Sequence, residues 1–234
     1  MMTTRSDHDG ASSDAELLAR IQSDLSAATT CLGPLEPGIT VFGSARTPAD
    51  APDYRRAYRL GQYLARAGLP VVTGGGPGIM GAANQGAMDA GGISVGLSIS
   101  LPHEHSPNPH LTHHLHFSDF QTRKLMLTRY SRGFVVFPGG FGTVDELMEL
   151  LVAFQTHRTG RKPLVLVDRF FWRGFMQWLT EVLGSRAMID LYNLDDIQQA
   201  DDEGEVLRLL LGPERAASLL ESTDDVSMAG SDGE

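Results

Sequence analysis

Cysteine is almost missing from this chain. Cys31 is the only one in 234 residues, so no internal disulfide staples the fold, which suits a reducing, cytoplasmic setting. No apolar run approaches the roughly 18 residues of a membrane span, and the opening MMTTRSDHDGASSD lacks the basic-then-apolar order of a secretory signal. Lysine is nearly absent too: Lys124 and Lys162 are the only two, which leaves little room for lysine-based chemistry. Positive charge is in deficit overall, with a net charge of −10. A nucleic-acid backbone needs a basic face, so a general nucleic-acid binder is excluded, although one small basic pocket is not.

What is present is enough apolar residue to build one core, 41% of the chain, and a repeating pattern that says how. Residues 1–14 and 213–234 are polar or acidic and read as tails around a single domain, 15–212. After an N-terminal helical stretch (15–30), short apolar runs alternate with helical spacing: GITVFGSA, then 53–68; LPVVTGGG, then 79–92; ISVGLSIS; LHFS, then 119–132; GFVVFPGG, then a helix from Thr143; PLVLVD, then helices near 170–184 and 202–211. Strands that are apolar throughout, each followed by a helix, predict an α/β fold: a Rossmann-like, doubly wound parallel sheet in three layers. Such sheets bind ligands at the carboxyl ends of their strands.

Three glycine turns follow strands: FGSAR (42–46), TGGGPGIMG (73–81) and FPGGFGT (137–143). In this fold class they converge on one edge, where glycine lets backbone approach a ligand and the free N–H groups of a helix start attract an anion. GPGIMG spells a dinucleotide fingerprint, but no acid ends the next strand to hold a ribose diol, and no Walker lysine follows any of the turns. Thr143-Val-Asp-Glu146 reads in two ways. It has the form of a capping box, yet the PGG upstream already turns N–H groups toward open space. Leu147, Leu150, Leu151 and Phe154 form that helix's core stripe, with Glu149 as a surface or supporting group.

Ser118 and Gln121 have the spacing of a second capping box. Arg123 is placed either to pair with Asp119 at i,i+4 or to offer its fork to a phosphate or carboxylate. HEHSPNPHLTHHLHF carries six histidines. With two prolines, no cysteine and no zinc spacing, it reads as a loop over a pocket rather than a metal site. Trp172 and Trp178, spaced helically with Phe171 and Phe175, read as core or interface packing.

PGGFGTVDE (138–146), TGGGPGIMGAANQGA (73–87) and Arg123-Lys124 together resemble the LOG family, the cytokinin-activating phosphoribohydrolases once labelled lysine decarboxylases. The resemblance covers residues 36–210 or so, and LPHEHSPNPH, QTHRTGRKP and FFWRGFMQWL look most like the longer bacterial branch. It implies a Rossmann-like homodimer, or an assembly of dimers, that hydrolyses the N-glycosidic bond of adenosine or N6-prenyladenosine 5′-monophosphate without metal or organic cofactor. It makes Arg123 and Glu146 the catalytic pair and places Gly139, Gly140, Gly142 and Thr143 at the phosphate. Ser44, Gly75, Gly76, Met80, Lys124 and Asp145 complete the nucleotide site. Arg46 and the histidine-rich loop depart from the expected pattern. Competing readings are a broad nucleoside 5′-monophosphate nucleosidase and a non-catalytic nucleotide or molybdenum-cofactor carrier, which has no chemical reason to keep the Arg123 and Glu146 combination.

Overall fold

The computed structural model describes residues 13–99, 108–158 and 160–228. Within them lies a seven-stranded sheet, parallel throughout, in the order β4-β3-β2-β1-β5-β6-β7. The strands are β1 (Gly38–Phe42), β2 (Val71–Thr73), β3 (Ser94–Ile99), β4 (His113–Phe117), β5 (Ser131–Val136), β6 (Leu164–Val167) and β7 (Ile197–Ala200). β1, β2 and β6, and β5 from Gly133 on, are buried on both faces because helices cover both. Ile39 and Val41 point into one core while Phe42 points into the other, and Val135 and Val136 divide in the same way.

One core lies under α1 (Asp14–Leu32), α4 (Phe120–Arg129), α5 (Phe141–Gln155) and α6 (Arg169–Gln177), the last running on into a π-helical turn, Trp178–Gly184. The opposite core lies under α2 (Pro52–Arg66), α3 (Ile79–Asp89), α7 (Glu203–Leu211) and α8 (Pro213–Met228). Sheet order reverses between β1 and β5. The chain leaves β1 for α2 on one face and leaves β5 for α5 on the other, which opens a crevice at their carboxyl ends.

Two expectations need correction. The chain past 212 does not begin as a tail: α8 docks through Ala216, which is fully buried, and Leu220. β7 has no counterpart among the expected strands, because Ile-Gln-Gln-Ala has too few apolar residues to announce one, and it pairs only at the sheet's edge. Trp172 is core, edge-on to Phe171 and Phe175, whereas Trp178 is largely exposed.

α2 and α3 pack with almost no space between their backbones. A side chain at Gly86 would strike the Tyr58 carbonyl, and one at Gly61 the Ala83 carbonyl. Gly86→Ala gains about 1 kcal/mol of helix propensity. It loses about 1–3 kcal/mol to overpacking against a carbonyl that cannot swing aside. The expected outcome in urea unfolding is a lower midpoint with unchanged slope, a net loss of about 1 kcal/mol.

Candidate active site

The crevice is built by the three glycine turns, and they touch. Ser44, just after β1, donates its N–H to the Pro138 carbonyl after β5 at 3.1 Å, and its own carbonyl accepts the Ile79 N–H at the start of α3 at 3.0 Å. Gly78 sits so close to the Ser44 and Ala45 carbonyls, at φ +64°, that only glycine fits there. Met80 folds back over the β2 turn, its sulfur beside Gly74 and its methyl beside Gly76. Ser44, Gly75, Gly76 and Met80 thus lie together in the touching β1 and β2 turns.

On the other side, α5 is capped three residues earlier than the T-x-x-E spacing suggests. Its N-cap is Gly140, in extended conformation and with no side-chain cap. The T-x-x-E capping box therefore does not form. Thr143 lies inside the first turn, buried against Gly139, while Gly140 and Gly142 face open space. The first N–H groups of a helix have no intrahelical partner, and at α5 no side chain caps them and the helix dipole lies behind them.

Released from capping, Glu146 turns inward. Its side chain is 11% exposed and that of Arg123 on α4 12%, and Arg123 Nη1 donates to Glu146 Oε1 at 3.3 Å. Arg123 Nε donates to the Leu97 carbonyl at 2.6 Å, at the end of β3. The expected Arg123–Asp119 pair is absent because Asp119 is the cap of α4, accepting from the Thr122 N–H and hydroxyl at 2.8 Å each. Ser118 makes no capping box with Gln121. Its N–H and hydroxyl, and the Asp119 N–H, donate to Asp24 of α1. Gly74 is small because the Arg123 guanidinium occupies the space a side chain would need.

Burial pushes the Glu146 carboxyl up to about 7; Arg123 and Lys124 pull it down, while Glu149 and Asp145 add to the rise. Burial also lowers the Arg123 pKa, against the support of Glu146. Lys124 is buried beside them. Its ammonium is 2.6 Å from Asp145 and 3.0 Å from Glu149. Desolvation is the largest single influence on it and acts downward, but the hydrogen bonds to Asp145 and Glu149 help to leave its pKa raised. A carboxyl that titrates near neutrality beside a guanidinium, at the mouth of an anion-attracting turn, is suited to proton transfer next to a phosphorylated ligand.

The histidine-rich segment lies partly outside the described residues, which exclude His103 and His105. Of the rest, His114 and His116 on β4 approach the Ser98 hydroxyl at 2.7 and 3.1 Å. Among the described residues no three His, Cys, Asp or Glu side chains group as metal ligands. Arg46 is exposed, two residues beyond Ser44. Asn84, which lies within the 73–87 string but takes no role from it, is the buried hub behind the β2 turn. An amide in a helix of small residues is the only signal the sequence offers for it.

Residues 80–210 match a family described as possible lysine decarboxylases. A cytokinin riboside 5′-monophosphate phosphoribohydrolase of Mycobacterium tuberculosis is 31% identical over 166 residues, covering 67% of this chain and 87% of the relative. This chain belongs to the LOG family. A second LOG protein, from Rhodococcoides fascians and bearing the same enzyme name, is 28% identical over 152 residues, 62% of this chain and 75% of its own. A pyrimidine/purine nucleotide 5′-monophosphate nucleosidase of Escherichia coli is 32% identical over 150 residues, 58% of this chain but 33% of the relative's length. Against a rice LOG enzyme the match spans 49% of each chain. A molybdenum cofactor binding protein of Rippkaea orientalis shares the fold, with a TM-score of 0.52 at 23% identity over 81% of this chain and 98% of that one. The decarboxylase description finds no support in the lysines. A Schiff-base lysine must be readily neutral, whereas Lys124 is held charged by two carboxylates. Lys162, whose pKa burial lowers, donates to the Thr128 carbonyl just before β6, at the sheet end away from the crevice.

Arg123→Met removes the strongest force holding Glu146 ionised. The Glu146 carboxyl should then titrate at higher pH than in the parent protein, checked by carbon NMR of the labelled side chain. An unchanged midpoint would refute the coupling.

Proposed function

We propose that this chain hydrolyses the N-glycosidic bond of adenosine 5′-monophosphate and its N6-prenyl derivatives, releasing free base and ribose 5-phosphate. The observation that carries this reading is the buried Arg123–Glu146 pair, whose carboxyl is poised near neutrality at the end of the glycine-lined crevice. The names of the Mycobacterium tuberculosis and Rhodococcoides fascians relatives support it.

In this reading the 5′-phosphate sits on the uncapped start of α5, held by N–H groups of Gly139, Gly140 and Gly142 and by Thr143. Ser44, Gly75, Gly76 and Met80 form the facing wall. The ribose lies along α5 toward Glu146, whose carboxylate takes a proton from water as the water oxygen bonds to C1′. The C1′–N bond breaks, its electron pair goes to the base nitrogen, and that nitrogen takes up a proton from solvent to leave as free base while Glu146 releases the proton it took from the water. The ribosyl group is cationic in passage, so a carboxylate nearby stabilises it, as in glycosidases. Arg123 orients Glu146. Lys124, Asp145 and Glu149 hold α4 and α5 together. The chemistry asks for no metal or organic cofactor.

Two further elements belong to the proposal. Phe120 and Leu125 of α4 and Phe141 and Val152 of α5 are exposed large apolar residues, Phe141 at 96%, and they offer a face for a second copy of the chain. A cytoplasmic setting accords with the single Cys31, and no described helix is long and apolar enough to cross a membrane.

Incubation with AMP, N6-isopentenyl-AMP, GMP and CMP, read by chromatography, tests the reaction. Glu146→Gln should bind AMP and lose turnover by about 10²–10⁴-fold. Product from all four nucleotides would favour the broad nucleosidase, and tight binding without turnover the carrier. Glu146 must be ionised to accept a proton and its pKa is raised to about 7. Hence kcat/KM should fall as pH drops through 7 and level off above it. The substrate phosphate, titrating near ~6, contributes a separate limb.

A further inference from the structure

Behind the β2 glycine turn lies a polar network that the proposed reaction does not use directly. Thr73, Asn84 and Ser94 are all completely buried. Asn84, on α3, has every hydrogen-bonding position of its amide occupied. Its oxygen accepts the Thr73 hydroxyl at 2.6 Å and the Asn108 amide at 3.0 Å; its nitrogen donates to the Ser94 hydroxyl at 2.8 Å and the Val95 carbonyl at 3.4 Å. Thr73 in turn accepts the Gly75 N–H at 3.0 Å, and Ser94 donates to the His110 carbonyl at 2.6 Å. The amide thus joins the glycine turn to the 108–112 segment, which leads into the edge strand β4.

We infer that Asn84 is a positioning residue for the site: through Thr73 it fixes the Gly74–Gly76 turn against the Arg123 guanidinium and ties that turn to the segment leading into β4. The inference rests on the hydrolase reading for its link to turnover. A buried amide contributes little net stability over an apolar side chain of similar shape. It does impose directional bonds that an apolar side chain cannot, and such networks rigidify the groups they join. Here the joined groups are adjacent to the reacting pair. Gly74 abuts Arg123 Nη2, and Gly75 lies against Gly96 and Ser98 of β3, on either side of the Leu97 whose carbonyl holds Arg123 Nε. If the turn relaxes, the guanidinium loses the wall that sets its angle to Glu146.

Asn84→Ala and the milder, nearly isosteric Thr73→Val test this, with Leu207→Ala as a stability control. Leu207 is buried on α7, which packs on β6, β7 and α2. Both network variants should lose at least tenfold in kcat on AMP and shift the acid limb of kcat/KM upward, because Glu146 is less well paired. Leu207→Ala should keep both parameters despite an equal or larger fall in Tm. In the Glu146→Gln background, Thr73→Val should also weaken AMP binding at least tenfold by calorimetry. Network variants that melt earlier yet keep the parent kcat, pH limb and AMP affinity would overturn the inference and leave Asn84 a plain core residue. If the parent protein turns over no nucleotide, the hydrolase reading fails, and the affinity comparison alone decides the role of Asn84. Absence of AMP binding to Glu146→Gln would overturn both.

Discussion

A carboxylate and a guanidinium removed from water together are stabilised only while each remains the other's partner, and the Arg123–Glu146 pair sets that condition on everything around it. The two residues come from helices separated by β5. α4 must therefore cross from the edge strand toward the sheet centre, and α5 must begin at the switch point, for the pair to meet. Deletion of either partner strands a buried charge. Glu146 escapes that penalty in part by holding a proton near neutrality, a course not open to arginine. This asymmetry makes the carboxyl the member that can change charge and the guanidinium the one that cannot.

Several features of the molecule act by fixing the arginine. The start of α4 is held twice, by the Asp119 cap within the helix and by Asp24 of α1, which accepts three hydrogen bonds from Ser118 and Asp119. Leu97 anchors the guanidinium from the sheet, and Gly74 leaves room for it. On the outer side Lys124 bridges to Asp145 and Glu149, so that α4 and α5 are joined by one ion pair inside and two nearer the solvent. The inner pair is the one proposed for the chemistry, and the outer pairs tie the two helices together beside it. This division explains how a chain with a net charge of −10 keeps two cations side by side at one site.

Much of this is legible in the amino-acid sequence. The apolar strands, their alternation with helices and the three glycine turns follow from local rules that tertiary packing does not override, and so the parallel sheet and the meeting of the turns at one end of it can be read directly. Hydrogen bonds between distant segments cannot. Nothing in Ser118 or Asp119 announces that Asp24, some 94 residues away in sequence, holds their N–H groups, and local spacing accordingly puts the cap of α4 one residue too early. Asn84 is silent for the same reason: its partners come from β2, β3 and the 108–112 segment, and no local spacing links them. β7 is hidden because an edge strand needs little apolar sequence once the rest of the sheet is in place.

The Thr143–Glu146 segment shows why one string supports two opposite readings. A capping-box glutamate lies at the helix surface and reaches back to its own backbone, where solvent and N–H groups favour the charged form. Starting the helix at Phe141 rather than just after Thr143 moves Glu146 from the third helical position to the sixth. That is about 4.5 Å further along the axis, too far on to serve the open N–H groups of the first turn, and its side chain projects into the gap facing α4 instead. The same change buries Thr143 against Gly139 and leaves the helix start uncapped. A single shift of the helix start thus leaves its first N–H groups without a side-chain cap and turns the Glu146 carboxylate toward Arg123. The Pro-Gly-Gly turn makes the earlier start possible: Gly140 caps without a side chain, and Gly139 lets Thr143 close in where any other residue would collide.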